Sequence, residues 1–148
     1  TTLIVKISNI LQDRGFKVCI VKHDPKDKAR FDRHGKDSDK FSQTGANVAI
    51  VSPNRTTMFK KETSSIEDLI EMFGEFDYLL VEGLKTLPLP RIAIFREKLE
   101  ERYFEVTDVI ASDETIKLED LPQGMKKLDL NNPEEIINWI NTNAKRVK

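Results

Sequence analysis

A single cysteine in 148 residues leaves no possibility of a disulfide within the chain. That residue, Cys19, sits in the apolar run Val18-Cys19-Ile20-Val21 and reads as a small buried thiol, not as a metal ligand or nucleophile. No apolar run approaches the length of a membrane span, and no basic-then-apolar leader opens the sequence, so a cytoplasmic protein without a membrane partner is the default expectation. Charge of neither sign prevails. With 24 basic residues against 25 acidic ones there is no global field to draw in nucleic acid, and any anion site must be local. Internal repeats and low-complexity linkers are also absent. The only two histidines, His23 and His34, fall in one polar stretch beside several aspartates, but neither H-x-x-x-H nor H-E-x-x-H spacing supports a metal site there.

What is present is organised around residues 76–85, Phe-Asp-Tyr-Leu-Leu-Val-Glu-Gly-Leu-Lys. Tyr78 to Val81 is an unbroken apolar run of strand length, expected to be a central strand of a parallel sheet buried on both faces. Glu82 then falls where the sheet meets solvent, and in open α/β sheets ligands bind beyond the carboxyl ends of the strands. Gly83 permits a sharp turn or a close approach to a ligand. A buried strand followed by an ordinary turn fits the same residues.

The rest of the chain alternates. Leu3, Ile4, Ile7, Ile10 and Leu11 have helical spacing, with Gly15 as a stop, so the chain opens directly on a helix. Val18 to Lys22 is the first strand, and an α/β domain that begins at its first helix is expected to lack its first strand. Residues 23–38 are polar, and over residues 22–36 Lys22, Lys26, Lys28, Arg30, Arg33 and Lys36 outnumber Asp24, Asp27 and Asp32, which predicts a mobile basic loop. A short helix from Ser38 to Gly45 and strands over 47–51 and 56–60 follow. Ser64-Ser65-Ile66-Glu67 has the pattern of a capping box ahead of Ile66, Leu69, Ile70 and Phe73.

After the strand that carries Glu82, Leu87-Pro88-Leu89-Pro90 reads as an extended connection to a strand over 91–95. Residues 97–105 are ambiguous between helix and loop, 106–111 read as a strand ending in Ser112-Asp113, and 127–130 as a short last strand. Asn132-Pro133-Glu134-Glu135 starts the final helix, whose apolar face includes Trp139 as a core residue. The whole predicts one α/β domain over residues 1–148, with a mainly parallel sheet and helices on both faces.

The order of these motifs resembles one family. A strand ending Val-Lys-His, a basic loop with Gly35-Lys36-Asp37-Ser38, then Gly45-Ala46, then Leu80-Val81-Glu82-Gly83-Leu84-Lys85 is similar to the molybdopterin-guanine dinucleotide biosynthesis protein B family. These are small P-loop NTPase-like, GTP-binding proteins that assist the guanylyl transfer completing the molybdenum cofactor. The resemblance runs over most of residues 1–113. It implies that Thr1-Thr2-Leu3 is the end of a G-x-x-x-x-G-K-T loop, so that the first strand and the glycines and lysine of the phosphate loop are missing from this sequence. Thr1 would be the hydroxyl that meets Mg2+, Thr2 would lie beside the nucleotide, and Glu82 would be the Walker B acid, holding magnesium and serving catalysis. Lys36, Asp37 and Gly83 would approach the nucleotide, with Asp37 reaching magnesium through water. Ala111-Ser112-Asp113 is similar to a family segment near the base, without enough residues to assign base recognition. Where further family histidines follow the Lys22-His23 pair, this chain has Asp24-Pro25-Lys26.

The implied ligands are GTP and Mg2+. The implied partners are a molybdenum cofactor guanylyltransferase, molybdopterin or a molybdoenzyme, and a second copy of the chain in a homodimer, with at most slow GTP hydrolysis. Two other readings stay open: a P-loop small-molecule kinase, for which Arg91, Arg96 and Arg102 are too scattered to build a lid, and a non-catalytic interaction domain. The loop ending at Ser38 is expected to be a switch ordered by nucleotide, or else a solvated loop in which Asp37 or Ser38 caps the next helix.

Overall fold

The protein is described by a computed structural model that covers residues 1–147. Its residues group into two compact units, one formed by Thr1–His23 and Phe76–Lys148, the other by Asp24–Glu75.

In the first unit, helix α1 (Thr2–Asp13) forms because Leu3, Ile7 and Leu11 recur every four residues and are buried together. The chain reverses at Gly15, φ 88°, and enters strand β1 (Val18–Lys22), which pairs in parallel with strand β4 (Tyr78–Glu82), Lys22 opposite Glu82. Strands β5 (Ile92–Phe95), β6 (Val109–Ser112) and β7 (Lys127–Asp129) form a second parallel sheet in that order. Alternation decides which face each side chain joins. Val109 and Ala111 of β6 pack with Leu128, α1 and helix α4 (Pro133–Asn143), whereas Ile110 turns the other way to join Phe95 and Ile116 under a 3-10 helix over Glu101–Val106. That 3-10 helix is the resolution of the ambiguous stretch after Glu97.

The last helix starts as its sequence predicts, with the Asn132 side chain accepting from Glu135 N at 3.3 Å and Pro133 in the first turn. Trp139 packs partly buried against the core, as expected.

The second unit holds helix α2 (Asp37–Gln43), an antiparallel hairpin of β2 (Val48–Ser52) and β3 (Arg55–Phe59), and helix α3 (Ile66–Phe73). The capping box is displaced one residue from its sequence reading. Ser65 rather than Ser64 is the cap, and Asp68 rather than Glu67 returns the bond, with Asp68 N to Ser65 Oγ at 3.1 Å and Ser65 N to Asp68 Oδ2 at 3.2 Å. Those bonds hold the Asp68 carboxyl below its ordinary value.

A second correction concerns β4. Every one of its residues is half-buried rather than buried on both faces, and among the described residues its ladder runs to β1 alone. Tyr78 N donates to Lys17 O and Glu82 O accepts from His23 N, so in the parallel alternation Tyr78, Leu80 and Glu82 face β1 while Leu79 and Val81 turn their peptide groups away. They turn toward a cleft of about 700 Å³ that residues 76–84 line without a gap, as they do where an edge rather than one face is presented. Arg91 O accepts from Asp108 N and Val109 N, so by the same alternation Ile92 and Ile94 of β5 present their peptide groups away from β6. Amide hydrogen exchange should show this phase, with Leu79 and Val81 exchanging faster than Tyr78 and Leu80. Equal protection at all four positions would place a partner on that edge.

Candidate functional site

The site is assembled where α1 begins and β4 ends. Thr1 is the residue before α1, a position whose side-chain oxygen commonly accepts from the first-turn amides. Here it makes no such cap. Its hydroxyl donates instead to Glu82, 3.1 Å from Oε1 and 3.1 Å from Oε2. The Glu82 side chain is 33% exposed, enough to meet a ligand and enough contact to be held in place. With the cap unused and no acidic residue in the first turn, no capping side chain takes up the amides at the start of α1, and Thr2 opens that turn exposed.

Gly83 takes φ 87°, and Leu84 follows at φ 51°. A Cβ on Gly83 would lie 3.0 Å from the Cβ of His23, so the glycine meets both a backbone and a packing requirement. The turn is also held from outside. Arg91 donates from Nη1 to Gly83 O at 3.1 Å and from Nη2 to Leu84 O at 2.8 Å. Sequence reasoning treated Arg91 only as one of several scattered arginines, because a contact to main-chain carbonyls leaves no mark on the partner's residue type.

The oxygen chemistry fits magnesium. A hydroxyl and a carboxylate side by side are hard ligands of the kind that hold the ion with one or two protein groups and leave its other positions to phosphate and water. Among the described residues no group of three or more His, Cys, Asp or Glu is placed to hold a metal by itself.

Lys36 and Asp37 belong to the second unit, where Lys36 precedes α2 and Asp37 is its first residue. Neither Asp37 nor Ser38 caps α2: the cap position is Lys36, which makes no side-chain bond, and Ser38 Oγ donates to Asp32. The acid that organises this turn is Asp39, which sequence reasoning passed over. It accepts from Gly35 N at 2.9 Å and lies 3.6 Å from His34 Nδ1, and the Gly35 amide, first among several contacts, holds its carboxyl below the ordinary value. His23 is placed against Gly83, so the two histidines have separate surroundings.

Ala111, Ser112 and Asp113 close β6. Ser112 is fully buried with its hydroxyl unpaired, and the Asp113 carboxylate is taken up by the hydroxyl and amide of Thr115, which lower its pKa.

Parallel strands, a ligand-ready acid at a strand's carboxyl end and a bare helix start beside it define a P-loop NTPase-like α/β domain. The chain belongs to the molybdopterin guanine dinucleotide synthesis protein B family, whose pattern matches residues 1–130. The molybdopterin-guanine dinucleotide biosynthesis adapter protein of Escherichia coli K12 is 30% identical over 152 residues, 95% of this chain and 83% of its own length. A relative from Methanocaldococcus jannaschii is 26% identical over 98 residues, and the match spans 62% of this chain and 42% of that protein. A crystal structure of a molybdopterin-guanine biosynthesis protein B superposes with a TM-score of 0.72 at 23% identity, over 95% of this chain and 90% of that one.

Two glycines test the turn. Gly83→Ala should lower stability by more than the roughly 1–2 kcal/mol that a left-handed backbone costs an L-residue, because His23 stands in the way. Gly124→Ala, at φ 81° with no heavy atom within 4 Å of the added Cβ, should show the backbone cost alone. Equal urea midpoints for the two variants would remove His23 from the argument.

Proposed function

We propose that the protein is a GTP-binding adapter in molybdopterin-guanine dinucleotide biosynthesis, presenting nucleotide to a molybdenum cofactor guanylyltransferase and hydrolysing GTP slowly at most. The observation that carries this reading is the Thr1 hydroxyl set against both oxygens of Glu82 at the head of a helix whose amides no side chain caps. Family membership and the adapter description of the Escherichia coli relative supply the pathway.

In this reading Thr1 and Glu82 hold Mg2+, and the first-turn amides of α1, opened by Thr2, receive phosphate. Bound magnesium would neutralise charge on the β and γ phosphates. Glu82 keeps the Thr1 hydroxyl oriented from the half-exposed position it occupies. Gly83 leaves room beside it. The glycines and lysine of the phosphate cradle are expected from the polypeptide before Thr1. Lys36 and Asp37 are proposed to join the nucleotide, with residues 24–38 as the segment that nucleotide orders. The cytoplasm is the proposed compartment and a homodimer the proposed assembly; no helix among the described residues is long and apolar enough to cross a membrane.

Glu82→Gln tests the central claim, since it keeps size and removes charge. In the protein carrying its upstream residues, wild type should bind GTP more tightly with magnesium than with chelator, and Glu82→Gln should bind equally in both. Titration calorimetry decides this, and wild-type affinity indifferent to magnesium would overturn the reading. Nucleotide at about 100 times its dissociation constant should also stabilise the wild type by about 2.7 kcal/mol.

A further inference from the structure

We infer that Arg91 is a positioning residue for Glu82, setting the carboxylate at its place by clasping the turn that follows it. The inference rests on the reading of Glu82 as a magnesium ligand and deepens it.

The turn has a hydrogen bond of its own beyond Leu84, from Leu87 N to Leu84 O at 3.0 Å, but that bond leaves the Gly83 carbonyl to Arg91. Glu82 is fixed on one side, where its carbonyl accepts from His23 N at 3.0 Å. The next two residues both take left-handed conformations, Gly83 at φ 87° and Leu84 at φ 51°. The first has no side chain to restrain it, and the second is a residue that seldom adopts that region. The guanidinium spans both residues, donating to the Gly83 carbonyl at 3.1 Å and the Leu84 carbonyl at 2.8 Å. A planar fork with its donors fixed relative to one another matches two successive carbonyls, which a single ammonium on a flexible stem does not.

Arg91 is itself held. Its amide donates to Asp108 Oδ2 at 2.7 Å, and its carbonyl accepts from Asp108 N at 3.0 Å. Both main-chain groups of Arg91 are therefore tied to the residue that precedes β6, whose Val109 and Ile110 are completely buried. A continuous path of short bonds runs from the rigid start of β6, through Asp108 and the backbone and side chain of Arg91, to the peptide groups beside Glu82. Groups that orient a metal ligand from behind typically change metal affinity 10–100-fold when removed.

The test uses Arg91→Lys and Arg91→Gln in the protein carrying its upstream residues, with GTP affinity measured by calorimetry in magnesium and in chelator. Arg91→Lys should lose about 10–100-fold in magnesium affinity while GTP binding in chelator stays at the wild-type value. An equal loss in both conditions would mark a merely structural role and overturn the inference, as would full retention of magnesium dependence in both variants. Wild-type protein supplies a second readout that needs no variant to fold. On adding magnesium to the GTP complex, the Arg91 side-chain and Gly83 amide resonances should shift together, and magnesium binding that leaves both unmoved overturns the inference. A wild type indifferent to magnesium gives a different signature, removing the Glu82 reading and with it the role assigned to Arg91.

Discussion

Parallel pairing of β1 with β4 is the constraint on which the site depends. The register that sets Lys22 beside Glu82 also fixes where β4 stops, and the Thr1 hydroxyl meets the carboxylate only because α1 returns its first residue to that end. The helix is kept there by Leu3, Ile7 and Leu11, which pack with Val109, Leu128, Ile136 and Ile137. Full burial of such side chains is worth about 1.5–3 kcal/mol each, whereas a hydroxyl to carboxylate contact on a half-exposed acid contributes far less. Apolar packing therefore places the polar site, and the polar site contributes little to the fold in return.

Much of this was legible in the residue pattern because the apolar periodicities are strong. The period of four in α1 marks a helix and the unbroken run of β4 marks a strand, and the strand ends at the acid that the pattern singled out. The cap of α3 was less legible because the sequence offers two overlapping boxes, Ser64 with Glu67 and Ser65 with Asp68. The structure uses the second, in which the shorter Asp68 side chain reaches back to the Ser65 amide. Burial of β4 was misjudged for a different reason. An apolar run reports that side chains avoid water, but it does not say whether another strand bonds to the backbone between them.

The contacts around the site divide in the same way. Glu82 and Gly83 were readable as a strand-end acid and a turn glycine, the role of Thr1 was read from the resemblance, and the three lie together in the first unit. Lys36 and Asp37 were read from a resemblance, and the second unit organises their turn through Asp39, which no motif marks. Arg91 escapes sequence reasoning because every residue carries a main-chain carbonyl, so the residues it bonds bear no mark of the contact.

The unpaired edge of β4 has a practical side. Leu79 and Val81 offer free peptide groups flanked by apolar side chains, the combination that invites edge-to-edge addition of another chain and then aggregation. Such association is driven by backbone bonds and desolvation rather than by charge, so in a chain whose basic and acidic residues nearly balance it depends on concentration more than on ionic strength. Handling the 148-residue chain at low concentration follows directly from the direction in which two amides point.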